Sequence, residues 1–264
     1  MRGDEKSLRA DEERSPLIST RFLVIATITI VALAAASIAI SWFGRAYGAR
    51  LALAGHSEST EIVDITIGRD RLTFPANAIR FEHQRRSGVA ERVDLYLLWP
   101  EMTGYSSTER RRFDDLAVSQ SLVFLQISQS TMSKDMSGRV EPIYRSLLEP
   151  EIAEGLAGLR SQAFRAGTGY EGESLLTATA PDETTYAIRC LLPLAADKAT
   201  SSDCQRDIHV GEDLTVLYRF SSRMLGDWQA IDEAVRAYVS GRAGPAAATT
   251  TLKNQSKTST DRSS

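Results

Sequence analysis

The segment FLVIATITIVALAAASIAISWF, Phe22 to Phe43, decides how the rest of the chain is read. No Asp, Glu, Lys, Arg or His occurs from Phe22 through Gly44. At about 1.5 Å of rise per helical residue the run covers roughly 33 Å, enough to cross a hydrocarbon core of about 30 Å. Its Phe, Leu, Val and Ile side chains between Phe22 and Ile40 together favour insertion by roughly 3 to 6 kcal/mol, most of which one central charge would cancel. The segment reads as a transmembrane helix.

Working outward, the flanks set its orientation. Arg2, Lys6, Arg9, Arg14 and Arg21 precede the span, whereas its near C-terminal side carries only Arg45 and Arg50. The positive-inside rule therefore keeps the N-terminus in the cytoplasm and puts the remainder outside. A cleaved signal peptide is the rival reading, with Ala52-Leu53-Ala54 as a small-x-small site. The apolar run is too long for a signal h-region and that site lies beyond both arginines, so an uncleaved signal anchor fits better. Trp42, Phe43 and Tyr47 then fall at the outer interface, where amphipathic rings prefer to sit. Ala32 with Ala36, and Ala35 with Ala39, have the small-xxx-small spacing that lets two spans approach in a homodimer, although an Ala-rich helix produces that spacing by chance.

These assignments divide the chain into a cytoplasmic tail (1–21), the anchor (22–43), a linker (44–59), one α+β domain outside the membrane (60–243) and a disordered tail (244–264). The domain is long enough to bury a proper core. A net charge of −3 with acids and bases interspersed is not the footprint of a nucleic-acid binder. The tail after Pro245 is rich in Thr, Ser and Lys and has too little apolar surface to fold; its Asn254-Gln255-Ser256 matches a glycosylation acceptor only at the level of a short pattern.

Within the domain the periodicities alternate between strand and helix. Glu61 to Ile67 and Arg71 to Phe74 read as a hairpin across Gly68-Arg69-Asp70, and Val93 to Trp99 as a strongly apolar strand closed by Pro100. Ser106 with Glu109 forms a capping box, which predicts a helix from Ser107 burying Phe113, Leu116 and Ala117. Leu122 to Ile127 is another strand. Ile143, Leu147 and Leu148, then Ile152, Leu156 and Leu159 after Pro150, predict two helical stretches, the second weakened by Gly155 and Gly158. Leu175–Thr179, Thr184–Leu192, Ile208–Val210 and Leu214–Phe220 read as strands, and a closing helix capped near Asp227 buries Trp228, Ile231, Val235 and Tyr238. The class is α+β with a mostly antiparallel sheet.

Residues that carry chemistry are few. Cys190 and Cys204, the only cysteines, lie on the same side of the span and suit a structural disulfide in an oxidising compartment. Zinc held by these cysteines and His209 is the weaker alternative, because there is no close Cys pair. Arg80, Arg85, Arg86 and Arg92 could clamp an anion through their planar guanidinium forks, but Glu82 and Glu91 interleave with them and a solvated loop explains them as well. Gly167-x-Gly169-x-x-Gly172 matches a dinucleotide fingerprint by letter, yet a strand follows it where a helix is required, so it is a loop. His56, His83 and His209 are scattered, and Glu171, Glu173 and Asp182 are acids of a polar loop. No catalytic, cofactor or metal assignment follows from them.

Phe74-Pro75-Ala76-Asn77-Ala78-Ile79-Arg80-Phe81, Gln84-Arg85-Arg86-Ser87-Gly88, Asp94-Leu95-Tyr96-Leu97-Leu98-Trp99-Pro100 and the stretch from Cys190 to Phe220 together resemble an uncharacterised group of single-span envelope proteins of alphaproteobacteria. The resemblance implies inner-membrane anchoring and a periplasmic domain, and transfers no activity or site residue. The functional expectation is a non-enzymatic protein that binds another envelope component, protein or polymer, without a cofactor. The alternative is a membrane-tethered hydrolase or transferase acting on cell-wall glycan or lipid.

Overall fold

A computed structural model of the chain describes residues 20–53, 55–115, 118–180, 183–195 and 198–245, with the backbone alone for 43–53 and 119. The chain divides into two units, Met1–Ala54 and Gly55–Ser264. Most of the expected tails, the rings of Phe43 and Tyr47, Leu116, Ala117, Asp182 and the Asn254 pattern lie outside the described residues and side chains.

The first unit holds α1, Thr20–Leu53, a helix of 34 residues. Its Thr20–Trp42 portion is long and apolar enough to cross a membrane. Thr27 and Thr29 return their hydroxyls to Leu23 O and Ile25 O at 2.8 and 2.9 Å, which satisfies them without water. The helix continues through Arg45 to Leu53, into the stretch expected as a linker. Ala46, Ala49, Leu51, Ala52 and Leu53 are strong helix formers, and the cost of Gly44 and Gly48, about 1 kcal/mol each, does not end it.

The second unit is α+β with mostly antiparallel sheets. β1 (Ile62–Ile67) and β2 (Asp70–Pro75) form the expected hairpin, and the short β3 (Gly88–Val89) pairs parallel with β1. The larger sheet contains β4 (Arg92–Leu98), β5 (Leu122–Gln129), β6 (Ala153–Glu154), β7 (Arg160–Ala163), β8 (Ser174–Thr179), β9 (Thr185–Cys190), β10 (Cys204–Val210) and β11 (Leu214–Phe220). Its order is β4-β5-β11-β10-β9-β8-β7-β6, with every neighbouring pair antiparallel. The short helix α2 (Arg110–Asp114) precedes β5, and α3 (Trp228–Ser240) follows β11. β12 (Ala243–Pro245) then pairs with β2, so Gly244 and Pro245, expected in the tail, belong to the fold.

α3 buries Trp228, Ile231, Val235, Tyr238 and Val239 in one cluster with Ile65, Leu72 and Phe74 of the small sheet and Leu95, Ile127, Ile208 and Val216 of the large one. Strand side chains alternate in direction, so Leu175 and Ala187 point away from this cluster. They form a second one with Met136, Tyr144, Leu148 and Phe164, where the chain between β5 and β7 crosses the opposite face. The two hairpin turns are tied together. Buried Asp70 accepts from Glu212 N and Asp213 N, each at 3.0 Å, while Asp213 accepts from Arg69 N at 3.1 Å. Gly211 (φ +70°) is required there, since a Cβ would collide with the Asp70 carboxylate.

Two helix expectations are corrected. The stretch after Pro150 is not an α-helix: Ala157 and Gly158 take φ values of 53° and 76°, which reverses the chain into β7. The apolar side chains counted as its buried face, Ile152 and Leu156, are exposed, and of that set Leu159 is buried. The helix from Ser107 begins as a tight turn and ends at Asp114. Its first amide is capped by Glu58, 2.8 Å from Ser107 N, rather than by Ser106, and Glu109 pairs with Arg112 instead of closing the box.

Candidate functional site

β9 and β10 pair only at Cys204 with Cys190 and Gln205 with Arg189, and then part. Arg206 fills the opening. Its Nε donates to Asp232 Oδ1 at 2.9 Å, and its Nη1 donates to Ser137 Oγ and Ala187 O, each at 2.7 Å. The guanidinium also lies 4.5 Å from the Tyr186 ring centre, a cation–π contact away from water. Tyr218 Oη donates to the same Asp232 oxygen at 2.6 Å, and Arg236 Nη2 reaches the other at 3.5 Å. Helical geometry assembles this set: Trp228, Asp232 and Arg236 are spaced by four residues and share one face of α3.

The electrostatics follow from the packing. Burial works against ionisation of Asp232, but Arg206 and the Tyr218 hydroxyl outweigh it and hold the carboxyl below its ordinary range. Burial pushes the Tyr186 and Tyr218 hydroxyls up, so both stay protonated at neutral pH. The deep charges of the site are therefore spent on one another. Above them opens a groove of about 930 Å³ whose rim carries Asp135, Thr185, Gln229, Glu233 and Arg236. That mixture of acids, one base, an amide and a hydroxyl can hydrogen-bond a partner, whereas the paired groups beneath supply rigidity.

At the paired end, Cys190 and Cys204 form the expected disulfide. Asp203 beside it accepts from Thr200 N at 2.9 Å and from Ser222 Oγ at 2.7 Å. Although burial opposes its charge, these donors hold its carboxyl below the usual range. The same end of the sheet receives the start of the domain. His56 stacks on Tyr105 with ring centres 4.3 Å apart, contacts Tyr96 Oη at 3.0 Å and meets Asp114 at 2.7 Å. Burial, partly offset by Arg85, pushes the Tyr96 hydroxyl up to about 12.

The arginine-rich segment is largely engaged with its own surroundings. Arg80 lies 5.1 Å from both the Phe81 and Phe124 ring centres, and Arg85 donates to Ile79 O and Arg80 O at 3.0 and 3.1 Å. Arg92 pairs with Asp94 at 3.0 Å, and Arg86 is exposed. The histidines occupy separate places. His83 packs beside Phe81, while His209 Nε2 lies 3.2 Å from Ser130 Oγ. That hydroxyl donates to Met132 O at 2.9 Å, so His209 donates to the serine, the reverse of what a general base requires. Asp207, beside His209 in sequence, is bonded to Arg139. Gly167, Gly169 and Gly172 form a loop with φ near 80° at each.

Sequence reasoning missed Arg206, Asp232, Tyr218 and Tyr186. A signal was present: Arg206 interrupts the inward alternation Cys204, Ile208, Val210, and Asp232 interrupts the apolar stripe Trp228, Ile231, Val235. Two charges set into two buried faces are compatible only if they meet.

No protein-family model and no curated protein matches the chain. Among solved structures it is similar to an immunity protein of the Stenotrophomonas maltophilia type IV secretion system, at 18% identity and a TM-score of 0.47, over 72% of this chain and 96% of that one. It is also similar to the Neisseria meningitidis iron-regulated outer membrane lipoprotein FrpD, at 9% identity and a TM-score of 0.39, over 70% of this chain and 95% of that one. Likeness at this level transfers no ligand, partner or activity.

Proposed function

We propose that the chain is a non-enzymatic protein anchored once in a bacterial inner membrane, with its α+β domain in the periplasm, where the groove between β9, β10 and α3 binds another envelope protein. The resemblance to the alphaproteobacterial envelope group implies the inner-membrane anchoring and the periplasmic position in this reading, and no part of the binding role. The observation that carries it is the internal pairing of Arg206, Asp232 and Tyr218. Beneath a sizeable groove these groups are held by one another, and the rim offers hydrogen-bonding side chains of both charges, the composition of a protein-recognition surface. Histidine-based hydrolysis or transfer finds no assembled site, since the three histidines are held in three unrelated settings.

The test is site-specific photo-crosslinking in cells of the full chain with the photo-reactive residue at Gln229. A discrete protein adduct that disappears with Glu233→Lys and persists with Arg86→Ala is expected. Adducts unchanged by Glu233→Lys would remove the groove from the account.

A further inference from the structure

The face of the large sheet turned away from α3 carries a second cavity, of about 230 Å³. Strand alternation builds its floor. Cys190, Cys204 and Phe220 belong to the cluster that α3 covers, so their neighbours Arg189, Gln205 and Arg219 point to the other face. The register sets Gln205 directly opposite both arginines, in one row across β9, β10 and β11. Ser202 and Asp203, just before β10, and Glu173, just before β8, add to the lining.

The groups of this cavity are left open, unlike the paired charges under the groove. Among the described residues, the Arg219 guanidinium, the Gln205 amide and the Ser202 hydroxyl have no hydrogen-bond or ion-pair partner. Arg219 is exposed, so its charge is reachable from solvent. Arg189 and Glu173 approach without closing: Nη1 and Oε2 stay 3.6 Å apart, and Glu173 Oε2 and Arg189 Nε are buried with no hydrogen bond. A donor and an acceptor left so, side by side, cost free energy that a bound molecule supplying both partners recovers. The Arg189 guanidinium rests on the Tyr170 ring, 4.5 Å from its centre, and Tyr170 belongs to a loop whose Gly169 and Gly172 have φ near 80°.

Charge and size narrow the ligand. Two guanidinium groups and two carboxylates line the cavity, and Asp203 already accepts from Thr200 and Ser222. A bare anion meets the carboxylates and a bare cation meets the arginines, whereas a molecule with both charges side by side satisfies each. The volume lies below the range of about 300 to 1,000 Å³ typical of pockets for drug-sized ligands, which restricts the molecule to a few heavy atoms. We propose that this cavity binds a free α-amino acid, with its carboxylate over Gln205 between Arg189 and Arg219 and its ammonium at Glu173. The site is independent of the groove between β9, β10 and α3, which opens on the opposite face of the sheet.

The test is equilibrium dialysis of the detergent-solubilised full chain against an equimolar mixture of the standard L-amino acids, with retention measured by mass spectrometry. Labelled acetate and labelled phosphate are dialysed in parallel. Saturable retention of at least one amino acid is expected, with acetate and phosphate held at least about tenfold more weakly. Arg219→Ala should weaken amino-acid binding by about tenfold or more, the scale of a lost charge-assisted hydrogen bond, and its exposed position carries no risk to the fold. Glu173→Gln should weaken the amino acid and leave acetate unchanged or tighter. Glu233→Lys, on the rim of the groove, should leave both unchanged, which keeps this result separate from the fate of the groove. Three results would each overturn the proposal: no saturable retention of any amino acid, acetate or phosphate held as tightly as the best amino acid, or retention indifferent to Arg219→Ala.

Discussion

β9 and β10 are held in two ways within a few residues. At Cys190 and Cys204 they are joined covalently and paired as a regular ladder. Immediately beyond, where they part, a buried guanidinium takes the place of the missing ladder and ties β10 to Ala187 O on one side and to α3 on the other. The first device acts chiefly by restricting the unfolded chain. The second acts in the folded state and works only while its carboxylate is ionised. A sheet that is opened for a groove thus has to replace backbone hydrogen bonds with a charge that is fully paired.

The largest effect should come from breaking the parted side. Asp232→Asn leaves Arg206 buried against a neutral amide and should cost about 3 to 5 kcal/mol in chemical denaturation. Replacing both partners, Arg206→Met with Asp232→Leu, should cost clearly less than Asp232→Asn, which would show that the pair provides geometry more than net stability.

Next is the stapled side. Cys190→Ser with Cys204→Ser opens a loop of about 15 residues and should cost roughly 3 kcal/mol, read from the same denaturation curves. In the native sequence, a denatured but unreduced sample should take up no thiol label, and two labelled cysteines would contradict the disulfide.

Acid sharpens the contrast further. The folded pKa of Asp232 is depressed, so its contribution is complete above about 4, the unfolded carboxylate value, and is lost as pH falls through the folded value. Stability should therefore drop along the acid limb in the disulfide-free variant as in the native chain. It should fall less steeply in the Arg206→Met/Asp232→Leu variant, the remainder of the slope coming from other carboxylates held below their usual range, such as Asp203. The smallest effect on stability is predicted for Leu194→Asp, within about 0.5 kcal/mol, because that side chain has no packing to lose.

The sequence made the apolar N-terminal helix, the strands of the domain and the closing helix readable because each has a strong period or a long uninterrupted apolar run. Leu214–Phe220 and the buried stripe of α3 were legible for that reason. The stretch from Pro150 to Ala163 was not. Its apolar spacing mimics a helix, while left-handed backbone at Ala157 and Gly158 and a ladder to β8 determine the outcome. The groove was hidden for a different reason. Arg206 and Asp232 lie on separate elements, so only the tertiary arrangement unites them, whereas the disulfide could be read from cysteine count and compartment alone.

In the proposed function an N-terminal helix holds the folded domain on the outer side of a bacterial inner membrane. Alkaline phosphatase fused after Pro245, where the last strand ends, tests it most directly. An active phosphatase on a membrane-bound, well-expressed fusion is expected. A well-expressed fusion with inactive phosphatase would place the domain in the cytoplasm and contradict it.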